Sequence, residues 1–392
     1  RVGRMPRRLL TMKTPMRLAA AAVIGVVAVG GTLYAVNPWQ SAVAPSSTAD
    51  SSVGPSASPS LSVVPATGPS WTVTGRMVIP RSGSATLLPD GTVLVAGGGT
   101  AGRENSAELF DPVSGTWSET RRMGQYMDDP IALLLHDGTV LVGTTQLYDP
   151  PTKTWTTVAG GMPRGPDGGF PGGFEAMFVL RDGKVLALGD HGRTALYDPS
   201  RRSWTPSGTM VTPQFGFAAA LLADGKVLVV GGSIADDQPV ASAELYDPVS
   251  GSWTATGNMI DARSALTATP LSDGRVLVVG AFTTFRRDVV PARGEVFDAA
   301  SGTWSATTDL VTPRFGHSAT LLTDGRVLIA GGSTGARDPL TAAELFDPVS
   351  GTWSATASMV RPHKGDGATL LADGRVLVIS ETAEIYDPGV GN

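Results

Sequence analysis

Seven polar side chains could together form a binding pocket. They are Asp128 and Asp129 in MDDP, Asp190, His191 and Arg193 in GDHGRT, and His363 and Asp366 in VRPHKGDG. Carboxylates beside a histidine and an arginine can bind a polar ligand. Two carboxylates about 5 to 9 Å apart across one bond could also hydrolyse a glycoside. We therefore predict a binding site at these residues and assign no catalytic residue.

Cysteine is absent from the 392-residue chain. This excludes disulfides, thiolate metal sites, a cysteine nucleophile and the lipidated cysteine of a bacterial lipoprotein. The four histidines, His136, His191, His317 and His363, show no spacing typical of metal ligands. We expect no metal and no cofactor.

Charge argues against a nucleic-acid partner. The first 17 residues hold six basic side chains and no acid, which leaves 24 basic against 35 acidic residues in the rest. A domain this acidic repels phosphate backbones.

Repeats account for the chain from Trp71 onward. Six Asp residues are each followed six positions later by Trp, at Asp111, Asp149, Asp198, Asp247, Asp298 and Asp347. Asp387, the seventh, has no such partner, whereas Trp71 has no preceding repeat. We predict that Trp71 belongs to the last repeat and completes it.

Each repeat reads as four short antiparallel strands, named a to d. An Asp-Gly turn joins two apolar segments in runs such as ATLLADGRVLVIS, and DPVSGTW joins the next two. A period of 42 to 51 residues with apolar strands b predicts an all-β, seven-bladed β-propeller over residues 71–388, closed by its N-terminal strand.

Repeated positions are interpreted as structural. A Glu recurs on strand c in five repeats, at Glu108, Glu244, Glu295, Glu344 and Glu384, and we expect it to form hydrogen bonds. Met, or Leu310 once, recurs in every d-to-a crossing as an apolar plug between blades. His317 is expected to be a structural residue of strand a.

Variable positions mark the expected binding face. The distance from Asp-Gly to the strand-c Asp ranges from 12 to 25 residues, whereas the c-to-d connection is constant in length. The b-c loops and d-a crossings share one face of such a ring, so any ligand site should lie there.

The segments PRFGHSATLL, VLIAGG, AELFDP and GTWS resemble the kelch repeat, and seven copies resemble the propeller of the galactose-oxidase-like group. That resemblance implies copper held by two Tyr and two His, with a Tyr–Cys cross-link. Because the chain lacks Cys, we expect no copper radical oxidase activity. A carbohydrate-active hydrolase or sugar epimerase remains the alternative to a binding protein.

The N-terminal 70 residues read as export and spacer segments. Residues 1–17 form a basic tail, and Leu18–Val36 is an uncharged segment long enough for a membrane-spanning helix or the core of a signal peptide. Positive charge before it predicts that everything after it lies outside the cytoplasmic membrane. Residues 37–70, rich in Ser, Pro and Ala, are expected to be a disordered linker.

Together these patterns predict a bacterial, extracytoplasmic, non-enzymatic binding or scaffold domain. It would be a monomer, either anchored or secreted after cleavage at Ala42-Val43-Ala44, and would recognise a protein or glycan through the variable loops of one face.

Overall fold

The computed structural model of the protein describes residues 26–29, 32–35, 68–81, 84–98, 105–127, 130–158, 174–234, 238–280, 292–334, 339–363, 367–380 and 382–389. At 26–29, 32–35, 174 and 190 only the backbone is described. The N-terminal tail and most of the predicted linker lie outside these residues.

Seven four-stranded antiparallel sheets form the blades of a propeller, as predicted. Their strands, in the order a, b, c and d, are Ser84–Leu87, Val93–Ala96, Ala107–Asp111 and Thr116–Glu119 in blade 1; Ala132–Leu134, Val140–Val142, Gln146–Asp149 and Thr154–Thr157 in blade 2; Phe174–Val179, Val185–Gly189, Thr194–Asp198 and Ser203–Pro206 in blade 3; Ala218–Leu221, Val227–Val230, Ala243–Asp247 and Ser252–Ala255 in blade 4; Thr267–Pro270, Val276–Val279, Arg293–Asp298 and Thr303–Asp309 in blade 5; Ser318–Leu321, Val327–Ala330, Ala343–Asp347 and Thr352–Ala355 in blade 6; and Gly367–Leu370, Val376–Ile379, Ala383–Asp387 and Ser70–Val73 in blade 7.

Blade 7 is completed by the N-terminal strand Ser70–Val73. This strand pairs with Ala383–Asp387 in a register that places Trp71 opposite Tyr386. The missing tryptophan of the last repeat is therefore Trp71, as predicted. The strand begins at Ser70, one residue before the predicted domain boundary.

Turn chemistry agrees with the sequence pattern. Gly91 in the first Asp-Gly turn has φ of +87°, and Gly115 in the first c-d turn has φ of +68°. Lys153 and Arg202 stand where other repeats have this second glycine, and they adopt φ of +53° and +50°. The repeat therefore imposes a left-handed conformation on side chains that seldom adopt it.

The core lies between the blades. Every residue of each strand b is buried, as an apolar strand without alternation requires. Between blades 6 and 7, Leu328 and Leu345 belong to the same apolar cluster as Val376 and Trp71. Met77 and Leu310 in the d-a crossings are buried as well, which agrees with the predicted plug.

Aromatic pairs link neighbouring strands and blades. In every blade the strand-d Trp packs on a Tyr or Phe of strand c, with ring centroids 4.8 to 5.2 Å apart. The Trp71 indole N–H also donates to Ala357 O of blade 6 at 2.8 Å. On the other side, the Trp117 indole of blade 1 donates to Thr74 Oγ1 at 3.1 Å. The closing strand and Thr74 directly after it thus link blade 7 to blades 6 and 1.

The segment predicted as a membrane-spanning or signal helix is not helical where it is described. Val26–Val29 and Thr32–Ala35 form two antiparallel strands instead. Their β-branched and aromatic side chains favour strands. Across the described part of the chain, no helix has both the length and the apolar character needed to cross a bilayer.

His317 is buried between blades 5 and 6. Its Nε2 lies 3.1 Å from Thr267 Oγ1, and the side chain is 1% exposed. Burial, with a smaller contribution from the charge of Arg314, lowers the pKa of His317 to about 3. The imidazole is therefore neutral in the folded protein at pH values where an unfolded histidine is protonated.

Replacing Trp71 with Ala should destabilise the whole ring. Removing a buried Trp side chain typically costs about 3 to 5 kcal/mol of folding free energy. Trp71 packs on Tyr386 of blade 7 and donates to Ala357 O of blade 6, so both contacts would be lost. Thermal unfolding of the full chain should show a midpoint lower by several degrees. Thr72→Ala, at the next and exposed position, is the control. Equal midpoints for both variants would contradict closure by this strand.

Folding stability should fall as the pH drops from about 6.5 towards 3. In that window the unfolded state binds a proton at His317 that the folded state does not, so about 1.4 kcal/mol is lost per pH unit. His317→Phe, which copies Phe217 at the equivalent position of blade 4, should remove this component in urea unfolding measured at several pH values. His136→Gln, at an exposed histidine, should retain it.

Candidate functional site

The b-c loops and d-a crossings form one side of the ring, which we call the variable face. The a-b and c-d turns form the opposite, invariant face. Strand d of blade 7 starts at Ser70 beside Asp387 and runs towards the crossing that enters blade 1. The closing strand therefore enters the ring on the invariant face and leaves it on the variable face.

The b-c loop of blade 3 brings three predicted site residues together. Asp190–Gly192 forms a single 3-10 turn, and Gly189 N donates to Arg193 O at 2.9 Å. His191 is exposed, has φ of +57°, and forms a T-shaped pair with Phe215 whose ring centroids are 6.3 Å apart. Left-handed non-glycine residues are uncommon and often occur at functional sites.

Glycine at position 192 lets this loop lie against the neighbouring crossing. Its φ is +75°, and a Cβ there would come within 3.2 Å of Met210 Cβ and 3.3 Å of Pro213 Cα. The loop that carries His191 is thus packed on the crossing between blades 3 and 4, and its position is fixed by the frame of the ring.

The other predicted residues do not join this loop. Asp128, Asp129 and Asp366 lie outside the described residues. His363, expected in an open pocket, is instead 2% exposed, with Nε2 3.1 Å from Glu384 Oε1. It lies between blades 6 and 7, which do not neighbour blade 3.

Buried glutamates hold the crossings of the variable face. In five blades the strand-c Glu accepts hydrogen bonds from two successive backbone N–H groups of the preceding crossing, at 2.6 to 3.1 Å. For Glu108 the donors are Val78 and Ile79. The predicted structural role of this Glu is confirmed, and we call the arrangement the glutamate clamp.

Basic side chains complete four of the five clamps. Arg81 contacts Glu108 at 2.9 Å and Arg263 contacts Glu295 at 3.1 Å, each fully buried. Arg314 and His363 occupy the same place beside Glu344 and Glu384, as the structure shows. Burial lowers the pKa of Arg81 and Arg314, and the attraction of the partner carboxylate opposes this shift. A guanidinium nevertheless stays charged, so each of the three arginine pairs is a buried ion pair.

Blades 2 and 3 lack the clamp. Gln146 replaces the glutamate in blade 2 and accepts one hydrogen bond from Gly124 N at 2.9 Å. In blade 3 the glutamate position is taken by Ala195, which has no polar side chain, and the preceding Thr194 donates to Gly208 O. The part of the variable face that carries the predicted site is thus also where the frame departs from the repeat.

The variable face also carries a set of exposed aliphatic residues that the repeat pattern did not predict. They follow the plug residue in five crossings and are Val78, Val211, Ile260, Val311 and Val360. The sequence does mark the position, because each of these residues directly follows a recurring Met or Leu. The exposure of that position could not be read from the pattern.

The acids of the clamp are not free for catalysis. Both oxygens of each of these carboxylates accept backbone hydrogen bonds, as described above. Within the described ranges there is no group of three or more His, Asp or Glu residues that could hold a metal. The side chains of the acids named for glycoside hydrolysis lie outside the described residues, so that alternative stays a prediction.

Substituting Glu108 with Gln should destabilise the protein by about 3 to 5 kcal/mol, since it leaves the buried charge of Arg81 without its partner. Denaturant unfolding of the full chain measures this. Asp324→Asn, which breaks the exposed ion pair with Arg326, should cost at most about 1 kcal/mol. A loss at Glu108 no larger than at Asp324 would argue against the clamp.

Comparison with known families and proteins identifies kelch motifs. The Kelch motif matches residues 80–124, 215–260 and 314–360. The F-box/kelch-repeat protein SKIP30 of Arabidopsis thaliana is 27% identical over 231 residues, 57% of this chain and 61% of the relative. A second F-box/kelch-repeat protein of the same plant is 29% identical over 125 residues, 29% of this chain and 31% of the relative. The chain therefore spans less than two thirds of either relative.

A solved structure supports the fold. A fungal alcohol oxidase of the AA5 family, in complex with copper, superposes with a TM-score of 0.66 at 17% identity, covering 82% of this chain and 77% of the oxidase. The residues present here do not fit a copper site of the expected kind. No cysteine exists for a Tyr–Cys cross-link, and His317 and His363 are buried in contacts between blades.

The four-stranded sheet and the aromatic pair thus recur in all seven blades, and the glutamate clamp recurs in five. The chain carries Kelch motifs and is a seven-bladed β-propeller similar in fold to the AA5 oxidase.

Proposed function

We propose that this propeller is a non-enzymatic binding or scaffold domain that recognises a partner protein or a glycan through the variable face. The observation that carries the proposal is the glutamate clamp, because it fixes five crossings on the same face where the b-c loops differ. A rigid frame that presents variable loops is the usual design of a binding surface.

Kelch propellers commonly act as protein-interaction scaffolds, and the relatives are named for their kelch repeats. This favours a protein over a glycan as the partner. The blade 3 loop is the first candidate contact, with His191 exposed to solvent and Arg193 beside it. Asp128, Asp129 and Asp366 complete the proposed site on the basis of their sequence position.

The proposal also places the propeller outside the cytoplasmic membrane, as a monomer connected to residues 18–36 by the linker. The basic N-terminal tail and the uncharged segment after it support this location. Because the closing strand enters at Ser70 on the invariant face, the linker reaches the ring from that side. The variable face would then point away from the membrane. A bacterial source belongs to the same proposal.

Photo-crosslinking can test which face binds. A photoreactive amino acid would replace His191 in the b-c loop of blade 3, or Ser200 in the c-d turn of the same blade, in the full chain expressed in its native host. Both positions are exposed and they lie on opposite faces. We expect a specific covalent adduct from position 191 and not from position 200.

An adduct from position 200 alone would refute the assignment of the face. Retention of a sugar on a glycan array, lost in Arg193→Ala, would identify the partner as a glycan. An unchanged array signal in that variant would exclude Arg193 from the site.

A further inference from the structure

The strands a of the seven blades surround the axis of the ring. Strand a is an edge strand of its sheet in every blade. The Cα atoms of each strand a lie within 8 Å of the strands a of both neighbouring blades, all the way round the ring. Only the innermost strands of a propeller can form such a closed circle, because the sheets diverge outward. The seven strands a therefore line the central channel.

A hairpin from the N-terminal region lies within this circle, and we call it the channel hairpin: Val26–Val29 paired with Thr32–Ala35. Val26–Val29 comes within 8 Å, between Cα atoms, of the strands a of blades 4, 5, 6 and 7. Thr32–Ala35 comes equally close to the strands a of blades 2 and 3. A segment at the outer rim cannot approach the innermost strands of six blades, so the backbone of the hairpin lies at the axis of the ring.

The channel wall and the hairpin match in charge. Among the described residues of the seven strands a, Glu175 alone is charged, and its carboxylate accepts a hydrogen bond from Gly216 N at 2.7 Å. Residues 18–36, which include the hairpin, have no charged side chain. A charged segment would lose its hydration in such a channel, whereas an uncharged segment loses much less.

The channel hairpin belongs to no blade. It forms a two-stranded sheet of its own, in which Val29 lies opposite Thr32. The two residues between its strands are Gly30 and Gly31, a pair that favours a tight hairpin turn. The closing strand Ser70–Val73, by contrast, is part of blade 7. The hairpin can therefore leave the channel without breaking any blade sheet.

We propose that residues 26–35 are a removable plug of the central channel. When the hairpin is seated, it closes the axis, so that a ligand reaches only the loops and crossings around it. When it is withdrawn, residues 18–36 are free to enter a membrane, the location that the proposed function gives them. One segment cannot be in both places at once, so membrane attachment opens the channel. The proposal rests on the proposed function for this second state, whereas the seated state is independent of it.

Photo-crosslinking in the purified full chain tests the seated state. A small diazirine amino acid would replace Val27 or Leu33, one in each strand of the hairpin, and the chain would be irradiated in detergent-free buffer. Mass spectrometry should map the adducts of position 27 to the strands a of blades 4 to 7, and those of position 33 to the strands a of blades 2 and 3. Adducts elsewhere, no adducts, or a purified chain that lacks residues 1–44 would each overturn the proposal.

A matched pair of variants tests why the hairpin seats. Ala28→Asp places a charge in the uncharged hairpin, so the chain that carries the probe at position 33 should lose its adducts with blade 3. Ser51→Asp, the control, places the same charge in the predicted linker and should keep them. Thermal unfolding should show both variants folded, because neither residue belongs to a blade. Equal adduct yields in the two variants would count against the proposal.

Vesicles of phosphatidylethanolamine and phosphatidylglycerol test the withdrawn state. Their anionic surface attracts the basic N-terminal tail, so the adducts of position 33 should move from the strands a to lipid. Adducts that stay on the strands a, or a chain that does not bind the vesicles, would refute the removal of the plug.

The partner adduct from position 191, described above, separates this proposal from the proposed function. If position 191 gives that adduct while positions 27 and 33 give none with the strands a, the plug fails and recognition by the variable face stands. If positions 27 and 33 react with the strands a while position 191 gives no partner adduct, the seated plug stands and the proposed binding face fails.

Discussion

The pairing of Ser70–Val73 with Ala383–Asp387 is the contact on which the ring depends. A propeller buries its apolar surface between blades, so each sheet needs a neighbour on both faces. Trp71 lies 286 residues from Ala357, the carbonyl it binds in blade 6. Loop-closure entropy grows only slowly with such a separation. A short strand in blade 7 that also contacts blade 6, followed by Thr74 and Gly75 at blade 1, therefore joins the two ends of the ring.

The glutamate clamp explains why acids that recur in the sequence do not indicate an enzyme. A buried carboxylate is stabilised when its charge is compensated and its oxygens are hydrogen-bonded. Glu344 meets both conditions with Arg314 and two backbone N–H groups. The backbone N–H groups of the crossing are hydrogen-bonded to the carboxylate oxygens that a proton transfer would need. The repeat therefore uses its carboxylates as structural parts of the frame.

The repeats were enough to predict the blade count, the closing strand and the role of Glu108. The repeat unit and the glutamate recur along the chain, and the closing strand is indicated because the last repeat lacks its Trp. Departures from the repeat were harder to interpret. His363 comes four residues after Met359, just as Arg81 comes four after Met77, and this register would have revealed it as a member of the clamp. The strands at Val26–Val29 and Thr32–Ala35 could not be predicted, since an uncharged segment rich in Val and Ala suits a helix in a membrane and a strand in a protein.

Among the described residues, the buried groups with lowered pKa values belong to the frame. Strongly shifted pKa values often mark catalytic groups. Here the lowered pKa values of His317, Arg81 and Arg314 arise chiefly from burial between blades. A group that must exchange protons with a substrate has to reach it, and these side chains are each about 1% exposed. On the described part of the variable face, the residue after the plug is an exposed Val or Ile in five crossings, and its backbone N–H is held by the buried strand-c glutamate. The buried charges and hydrogen bonds of the repeat thus stabilise the frame of the ring.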